Sequence, residues 1–257
     1  MDTTAHHLAL VAADVTTLAA RLVADAVGSA ATSRTKTSPT DVVTETDLQS
    51  ETFIRRELRE RCPGSTIVGE EYDDSHGTNR VGWIVDPIDG TINFLYDLPV
   101  VAISVAATVD GEVVAGAVAD VHRRELFHAA LGGGAFRDGA PIGPSRRDRL
   151  DQSLIGTGFS YDALLRAEQA AVVSRVLLSC RDIRCMGSAA LNLCWVACGR
   201  LDAYFERDLK VYDHAAGALI AAEAGAVVTS LSASDLIVAS EPSIEPEIRS
   251  LVSSSGD

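Results

Sequence analysis

The chain is short of lysine. Lys36 and Lys210 are the only two among 22 basic residues, set against 36 acidic ones for a net charge of −14. Such a chain repels a phosphate backbone and an anionic bilayer alike, so neither nucleic acid nor membrane is expected as a partner. Long apolar runs are also missing. The longest, Val100 to Val109, already contains Ser104 and Thr108 and falls short of the roughly 20 residues a membrane span needs. The N-terminus carries no basic cluster, which predicts no secretory leader. Cysteine is sparse, and none of Cys62, Cys180, Cys185, Cys194 and Cys198 forms a CxxC pair. They read as reduced thiols in the cytoplasm, not as a zinc site. Repeats and low-complexity tracts are absent. What is present is ordinary for a globular protein: 257 residues, 47% hydrophobic and 23% charged, enough for one or two compact units.

The pattern of elements changes along the chain. Residues 4–28, rich in Ala, Val and Leu and ending at Gly28, predict a helix. Thr46 and Gln49 have capping-box spacing and open a second helix with Phe53, Ile54 and Leu58 on one face, ended by Pro63-Gly64. Short strands are expected at Thr66 to Gly69 and Trp83 to Val85. Asp110-Gly111 between two apolar runs is a hairpin signal. Further strands follow at Glu125 to Ala130 and Ala135 to Arg137. The Gly-, Pro- and charge-rich stretch GAPIGPSRRDR marks an internal boundary. Beyond it, strands and helices alternate. The expectation is an α/β protein: an α+β half over residues 1–145, an α/β half over 146–257, one catalytic unit and a shared cleft.

The chemistry-bearing residues are acidic and sit at strand ends. Asp86 and Asp89 flank Pro87-Ile88, and Gly90-Thr91 opens a short helix to Leu95. Pro87 interrupts the ladder, so the turn can aim both carboxylates at one point and free the Ile88 carbonyl. Carboxylates plus a carbonyl are hard oxygen donors that suit Mg²⁺. Gly90 and Thr91 amides at the helix start can hold phosphate oxygens. Glu70-Glu71 ends a strand, with Glu70 a candidate ligand and base and Glu71 directed elsewhere. Asp213 stands at the start of a helix whose small residues permit close packing. Each also has a plain reading: a turn for DPIDG, a solvated pair for Glu70-Glu71, helix caps for Asp213 and Asp47. Lys36, in a polar loop, is a further candidate because lysine is so rare here.

Taken in order, Gly69-Glu70-Glu71, the run Trp83 to Phe94 (WIVDPIDGTINF) and Tyr212-Asp213-His214-Ala215-Ala216-Gly217 resemble the signatures of the inositol monophosphatase family. The segments from Lys36 to Asp41 and from Val43 to Asp47, and Gly187-Ser188-Ala189-Ala190, resemble it too, so the likeness covers nearly the whole chain. The resemblance implies a layered αβαβα sandwich of the sugar-phosphatase type, a homodimer, inhibition by Li⁺, and two or three Mg²⁺ ions per site. It implies that Glu70, Asp86 and the Ile88 carbonyl hold one ion, and Asp86, Asp89 and Asp213 a second. A third, weaker ion would lean on Glu70. Glu70 and Thr91, with Asp47 behind, would orient the attacking water. Gly90 and Thr91 would hold phosphate. Asp89, Asp213, Gly187, Ser188, Ala189 and Glu206 would face the alcohol half of a phosphate monoester.

The implied reaction is hydrolysis of a small polyol phosphate, myo-inositol 1-phosphate first. Relatives in the resemblance act instead on histidinol phosphate, fructose 1,6-bisphosphate or 3′-phosphoadenosine 5′-phosphate. Ile92 and Glu206 resemble the inositol branch, and no aromatic group is evident to stack an adenine. A non-catalytic interaction protein on the same fold is the rival of another class. Two departures from the pattern stand out. Tyr212 replaces a usual Trp, and GAVVTSLSASDLIVAS after Ala224 is shorter than the family's passage there.

Overall fold

The computed structural model describes residues 3–28, 32–35, 42–231 and 235–253. Lys36, singled out above, lies outside the described residues.

Helix α1 (Thr3–Asp25) places Leu8, Ala12, Val15, Ala19 and Val23 at helical spacing, and all five are buried. Strands β1 (Thr32–Thr35) and β2 (Val42–Thr44) form an antiparallel ribbon leading into α2 (Glu45–Arg61). The capping box lies two residues earlier than the Thr46/Gln49 spacing predicts. Thr44 is the N-cap, and Asp47 at the third helical position accepts the Thr44 amide at 2.9 Å. Asp is shorter than Gln and reaches back to the cap amide while staying fully buried.

The first large sheet has seven strands in chain order. They are β3 (Thr66–Gly69), β4 (Val81–Asp89), β5 (Ala102–Val109), β6 (Glu112–Asp120), β7 (Glu125–Ala130), β8 (Ala135–Arg137) and β9 (Ala140–Pro141). Only β3 and β4 pair in parallel. A short helix, α3 (Thr91–Leu95), follows β4. The sheet is apolar on both faces. On β4 and β5, Trp83, Val85, Ile103 and Val105 pack beneath α1 and α2, while Ala102 and Ala106 face the opposite layer. That period of two is what a doubly covered sheet demands.

The expected end of strand β4 at Val85 is too early. The strand passes through Pro87, slips register between Asp86 and Asp89, and pairs again at Asp89 with Ala102. A bulge accommodates the missing proline donor. Its polar groups are accounted for: Ser50 donates to the Pro87 carbonyl at 2.9 Å, and the Ile88 amide donates to Asp86 Oδ1 at 3.1 Å.

The second sheet contains β10 (Leu154–Thr157), β11 (Asp182–Cys185), β12 (Ala203–Arg207), β13 (Val227–Leu231) and β14 (Leu236–Ser240), in the order β11-β10-β12-β14-β13. The first three run parallel, and β14 turns antiparallel to both neighbours. Helices α4 (Ala163–Leu177) and α7 (Glu245–Ser253) pack on its outer face. Helices α5 (Ala189–Ala197) and α6 (Val211–Glu223) fill the space between the two sheets. The layers therefore run helix, sheet, helix, sheet, helix. A β-carbon at Gly116 would stand 2.9 Å from Ala216 Cα, so the small residues of β6 and α6 set the closeness of these layers.

One expectation about apolar runs is corrected. By length and composition, α1 is a helix long and apolar enough to cross a membrane. Here its buried stripe is part of the core under the first sheet, which explains the same composition as packing.

Candidate active site

A cleft of about 380 Å³ opens where the end of β4, the start of α3, the β11–α5 turn, β12 and the start of α6 meet. Glu70, Asp86, Ile88, Asp89, Gly90, Thr91, Gly187, Ser188, Ala189, Glu206 and Asp213 all line it. Asp47 stands one layer behind.

The acid wall is built by the bulge. Asp86 is 2% exposed, and burial pushes its carboxyl well above the ordinary range. The charges of Glu70, Asp89 and Asp213, and a hydrogen bond to Glu70, push it further the same way. Asp213 is raised by burial and then by Asp89 and Glu70. Like charges that cannot all ionise together are the expected result of gathering carboxylates in a dry cleft. Asp89 is raised to about 6 by burial, held down from further rise by Ser188 and the α5 amides. Ser188 Oγ donates to Asp89 Oδ2 at 2.5 Å, the Ala190 amide to the same oxygen at 2.8 Å, and the Ala189 amide to Oδ1 at 3.2 Å. Ser188 and Ala189, expected on the alcohol side, thus spend their polar groups on orienting Asp89.

Neither plain reading of the two helix starts holds in its simple form. Asp213 is not the N-cap of α6. It sits at the third position and accepts the Lys210 amide at 2.6 Å. The solvated-pair reading of Glu70-Glu71 fails as well. Glu70 lines the cleft, and Glu71 is buried with its charge bearing on Asp47.

Thr91 Oγ1 lies 3.2 Å from Asp47 Oδ1 and 3.1 Å from the Ile88 carbonyl. Its one proton goes to these acceptors, which leaves its lone pairs for a donor in the cleft. Asp47 is held by both the amide and the hydroxyl of Thr44, and burial raises its carboxyl. Gly90 has φ +94°, and a β-carbon there would lie 2.8 Å from the Val100 carbonyl and 3.1 Å from that of Gly187. Only glycine serves at this corner.

The opposite wall centres on Glu206. Its carboxyl is raised to about 7, by burial first, with the Tyr204 hydrogen bond opposing. Tyr204 is fully buried and donates its hydroxyl to Glu206 Oε2. A β-carbon at Gly158 would stand 2.2 Å from Glu206 Oε2, so this carboxylate occupies room that a glycine leaves.

Two supports were not read from the sequence as functional. Asn93 is buried and donates its amide to the Val100 and Met186 carbonyls, each at 2.8 Å. It ties α3 to the β11–α5 turn across the cleft. Glu51 is fully buried, pairs with Arg55 at 2.7 Å and accepts the Glu71 amide at 2.7 Å. It fixes the chain just after Glu70, and Gly69 leaves it space. A Glu inside the apolar face of α2, and an Asn directly after Gly-Thr-Ile, were the available signals.

The donor set fits a hard divalent cation. Asp86, Asp89, Asp213, Glu70 and the Ile88 carbonyl are all oxygen donors, and a cation would let the raised carboxyls ionise. Among the described residues, no three His, Cys, Asp or Glu side chains close on one point as a complete cage. Mg²⁺ requires none, because it keeps waters and takes one or two carboxylates plus substrate oxygens.

Solved inositol monophosphatases share this layered αβαβα sandwich: that of Thermotoga maritima superposes with TM-score 0.85 at 33% identity, covering 93% of this chain and 94% of that one. The family model described as "Inositol monophosphatase family" matches residues 4–255, and the chain belongs to that family. It is 45% identical over 229 residues to the "Inositol-1-monophosphatase" of Mycobacterium bovis, covering 84% of this chain and 79% of the relative. It is 39% identical over 194 residues to the "Nus factor SuhB" of Escherichia coli K12, covering 75% and 73%. Among solved structures, the extragenic suppressor protein suhB of Bartonella henselae superposes with TM-score 0.91 at 30% identity, covering 97% of this chain and 100% of that one. The structure titled inositol monophosphate bound SaIMPase-II superposes with TM-score 0.76 at 28% identity, covering 94% and 92%.

Proposed function

We propose that the protein hydrolyses a small polyol phosphate monoester with Mg²⁺, myo-inositol 1-phosphate being the first candidate. The observation that carries this is the pairing of walls: a cluster of raised carboxylates at the bulge, and a single buried carboxylate, Glu206, held by Tyr204 across the same cleft. The first suits a phosphoryl group delivered with cations. The second suits a hydroxyl donor on the alcohol half. The inositol monophosphate named in one structural neighbour's title is consistent with that division.

Asp86, Asp89, Asp213, Glu70 and the Ile88 carbonyl would hold the cations. When bound, these ions would polarise a water, clamp phosphoryl oxygens and take up charge on the leaving oxygen. Thr91 Oγ1, with its proton committed to Asp47 and Ile88, accepts a hydrogen bond from the attacking water. Glu70 takes the water's proton at its carboxylate. The Gly90 and Thr91 amides receive phosphoryl oxygens at the start of α3. Ser188 and the first amides of α5 keep Asp89 from turning away.

The test is phosphate release with and without Mg²⁺ and Li⁺ from myo-inositol 1-phosphate, histidinol phosphate, fructose 1,6-bisphosphate and 3′-phosphoadenosine 5′-phosphate. Highest kcat/KM on the inositol ester with Mg²⁺ supports the whole reading. Preference for another ester keeps the acid wall and discards the substrate. Silence on all four favours a regulatory interaction role, which the likeness to a protein named as a Nus factor keeps in view.

A further inference from the structure

A second depression, of about 310 Å³, shares no lining residue with the cleft. Three segments meet there. Arg147 and Gln152 come from the stretch that joins the two sheets. Arg181, Asp182 and Arg184 come from the edge strand β11 and its approach. Gly199, Arg200 and Asp202 come from the turn between α5 and β12. Four arginines line this depression beside Asp182 and Asp202, an excess of positive residues in a chain of net charge −14.

Three of these arginines are held in place by carboxylates. Asp202, 1% exposed, accepts Arg147 Nη1 at 3.0 Å with one oxygen and the Leu154 amide at 2.7 Å with the other. Arg200 sets its two terminal nitrogens on Glu125 at 2.5 and 2.6 Å. Arg184 Nη1 meets Asp182 at 2.5 Å and the Ile183 carbonyl at 2.8 Å. Each contact uses part of a five-donor group, so N–H bonds remain for a ligand. Arg181 is exposed and makes no ion pair among the described residues. The floor is close-fitting as well: a β-carbon at Gly199 would stand 3.0 Å from the Ser145 amide nitrogen. Glycine lets the α5–β12 turn close on the segment that carries Arg147.

We propose that this depression binds an oxyanion of the phosphate class. Guanidinium forks match the several equivalent oxygens of such an anion, and the pre-aimed arginines lose little freedom on engaging it. Arg181 makes no contact-distance ion pair among the described residues, although its charge bears on Asp151, and Gln152 adds a neutral polar group. β11 runs from this depression straight into Cys185, Met186 and Gly187 of the cleft wall, so an anion here bears on the strand that leads to the cleft.

The proposal is independent of the hydrolytic reading. Its test is isothermal titration of inorganic phosphate into the full chain stripped of divalent ions with EDTA, at low ionic strength. Without cations the acid wall repels phosphate, so heat reports the arginine site. Saturable binding is expected. Sulfate should displace phosphate, whereas chloride at matched ionic strength should not. Arg181→Gln should weaken binding about tenfold, and Arg181→Gln/Arg184→Gln by about tenfold more. Arg181 is exposed and makes no ion pair among the described residues, so its variant should keep the wild-type Tm and hydrolytic rate. Absence of saturable binding overturns the proposal. So does equal affinity in both variants, or displacement by chloride as readily as by sulfate.

Discussion

The two walls of the cleft hold carboxyl groups raised for different reasons. On the acid wall, Asp86 and Asp213 are lifted by burial and by the charges of Glu70 and Asp89. On the alcohol wall, Glu206 is lifted chiefly by burial, and its neighbour Tyr204 opposes the rise. The first arrangement is unstable as a set of anions and calls for external positive charge. The second is a single polar group at the edge of ionisation, supplied with its own donor. On the proposed reading, the difference separates two tasks, holding a phosphoryl group and reading an alcohol, that share one cleft of about 380 Å³.

The largest expected effect breaks the acid wall. Asp86→Asn should lower kcat by roughly 10³-fold or more, since cation-borne stabilisation is worth several kcal/mol. The fold should persist, and circular dichroism with steady-state kinetics checks both. Retention of wild-type kcat would remove Asp86 from the site. Next, Asn93→Ala removes the tie between the walls and leaves buried carbonyls without their donor. A cost of about 1–3 kcal/mol follows, read as a fall of roughly 2–12 °C in Tm. Both kcat and KM should worsen, because both walls lose their common support.

A smaller effect isolates the alcohol wall. Glu206→Gln should raise KM for inositol phosphate about tenfold, near the value of one hydrogen bond to a charged group, and leave p-nitrophenyl phosphate little changed. Equal effects on both esters would deny Glu206 a role in reading the alcohol.

The smallest effect is in stability against pH. Asp89 at about 6 and Glu206 at about 7 both lie above their unfolded values. A raised carboxyl stabilises the fold fully below its unfolded pKa, and that stability is lost as pH rises through the folded pKa. The Tm of EDTA-treated protein should therefore fall between about pH 4 and pH 8. Saturating Mg²⁺ should raise Tm, since it binds the folded cluster and not the unfolded chain. It should also flatten the acid-wall part of the slope. The part that remains near pH 7 should vanish in Glu206→Gln.

Much of this was legible in the sequence, for local reasons. Asp110-Gly111 marked its hairpin because that dipeptide suits the turn. The DPIDGT run by itself marked a turn; it marked a site only in order with Gly69-Glu70-Glu71 and Tyr212-Asp213, through the family resemblance. The less legible features depend on partners distant in sequence. Asp47 serves as a third-position cap for Thr44 because Thr91, 44 residues away, needs its other oxygen. Glu51 reads as an error in an apolar helix face until Arg55 and the Glu71 amide are seen around it. Pro87 suggested the end of a strand, since nothing local shows that Ser50 will accept responsibility for the freed carbonyl. The resemblance placed Ser188 and Ala189 against the ligand, but the Ser188 hydroxyl and the Ala189 amide both donate to Asp89.

The close fit of Glu206 over Gly158 has a consequence for how selectivity changes over time. Alanine at 158 would expel the Glu206 carboxylate from its seat while leaving every oxygen of the acid wall untouched. If Glu206 reads the alcohol as proposed, the preference for one alcohol over another is stored in a missing carbon, and a single codon step would turn a selective enzyme into a permissive one without first disabling it.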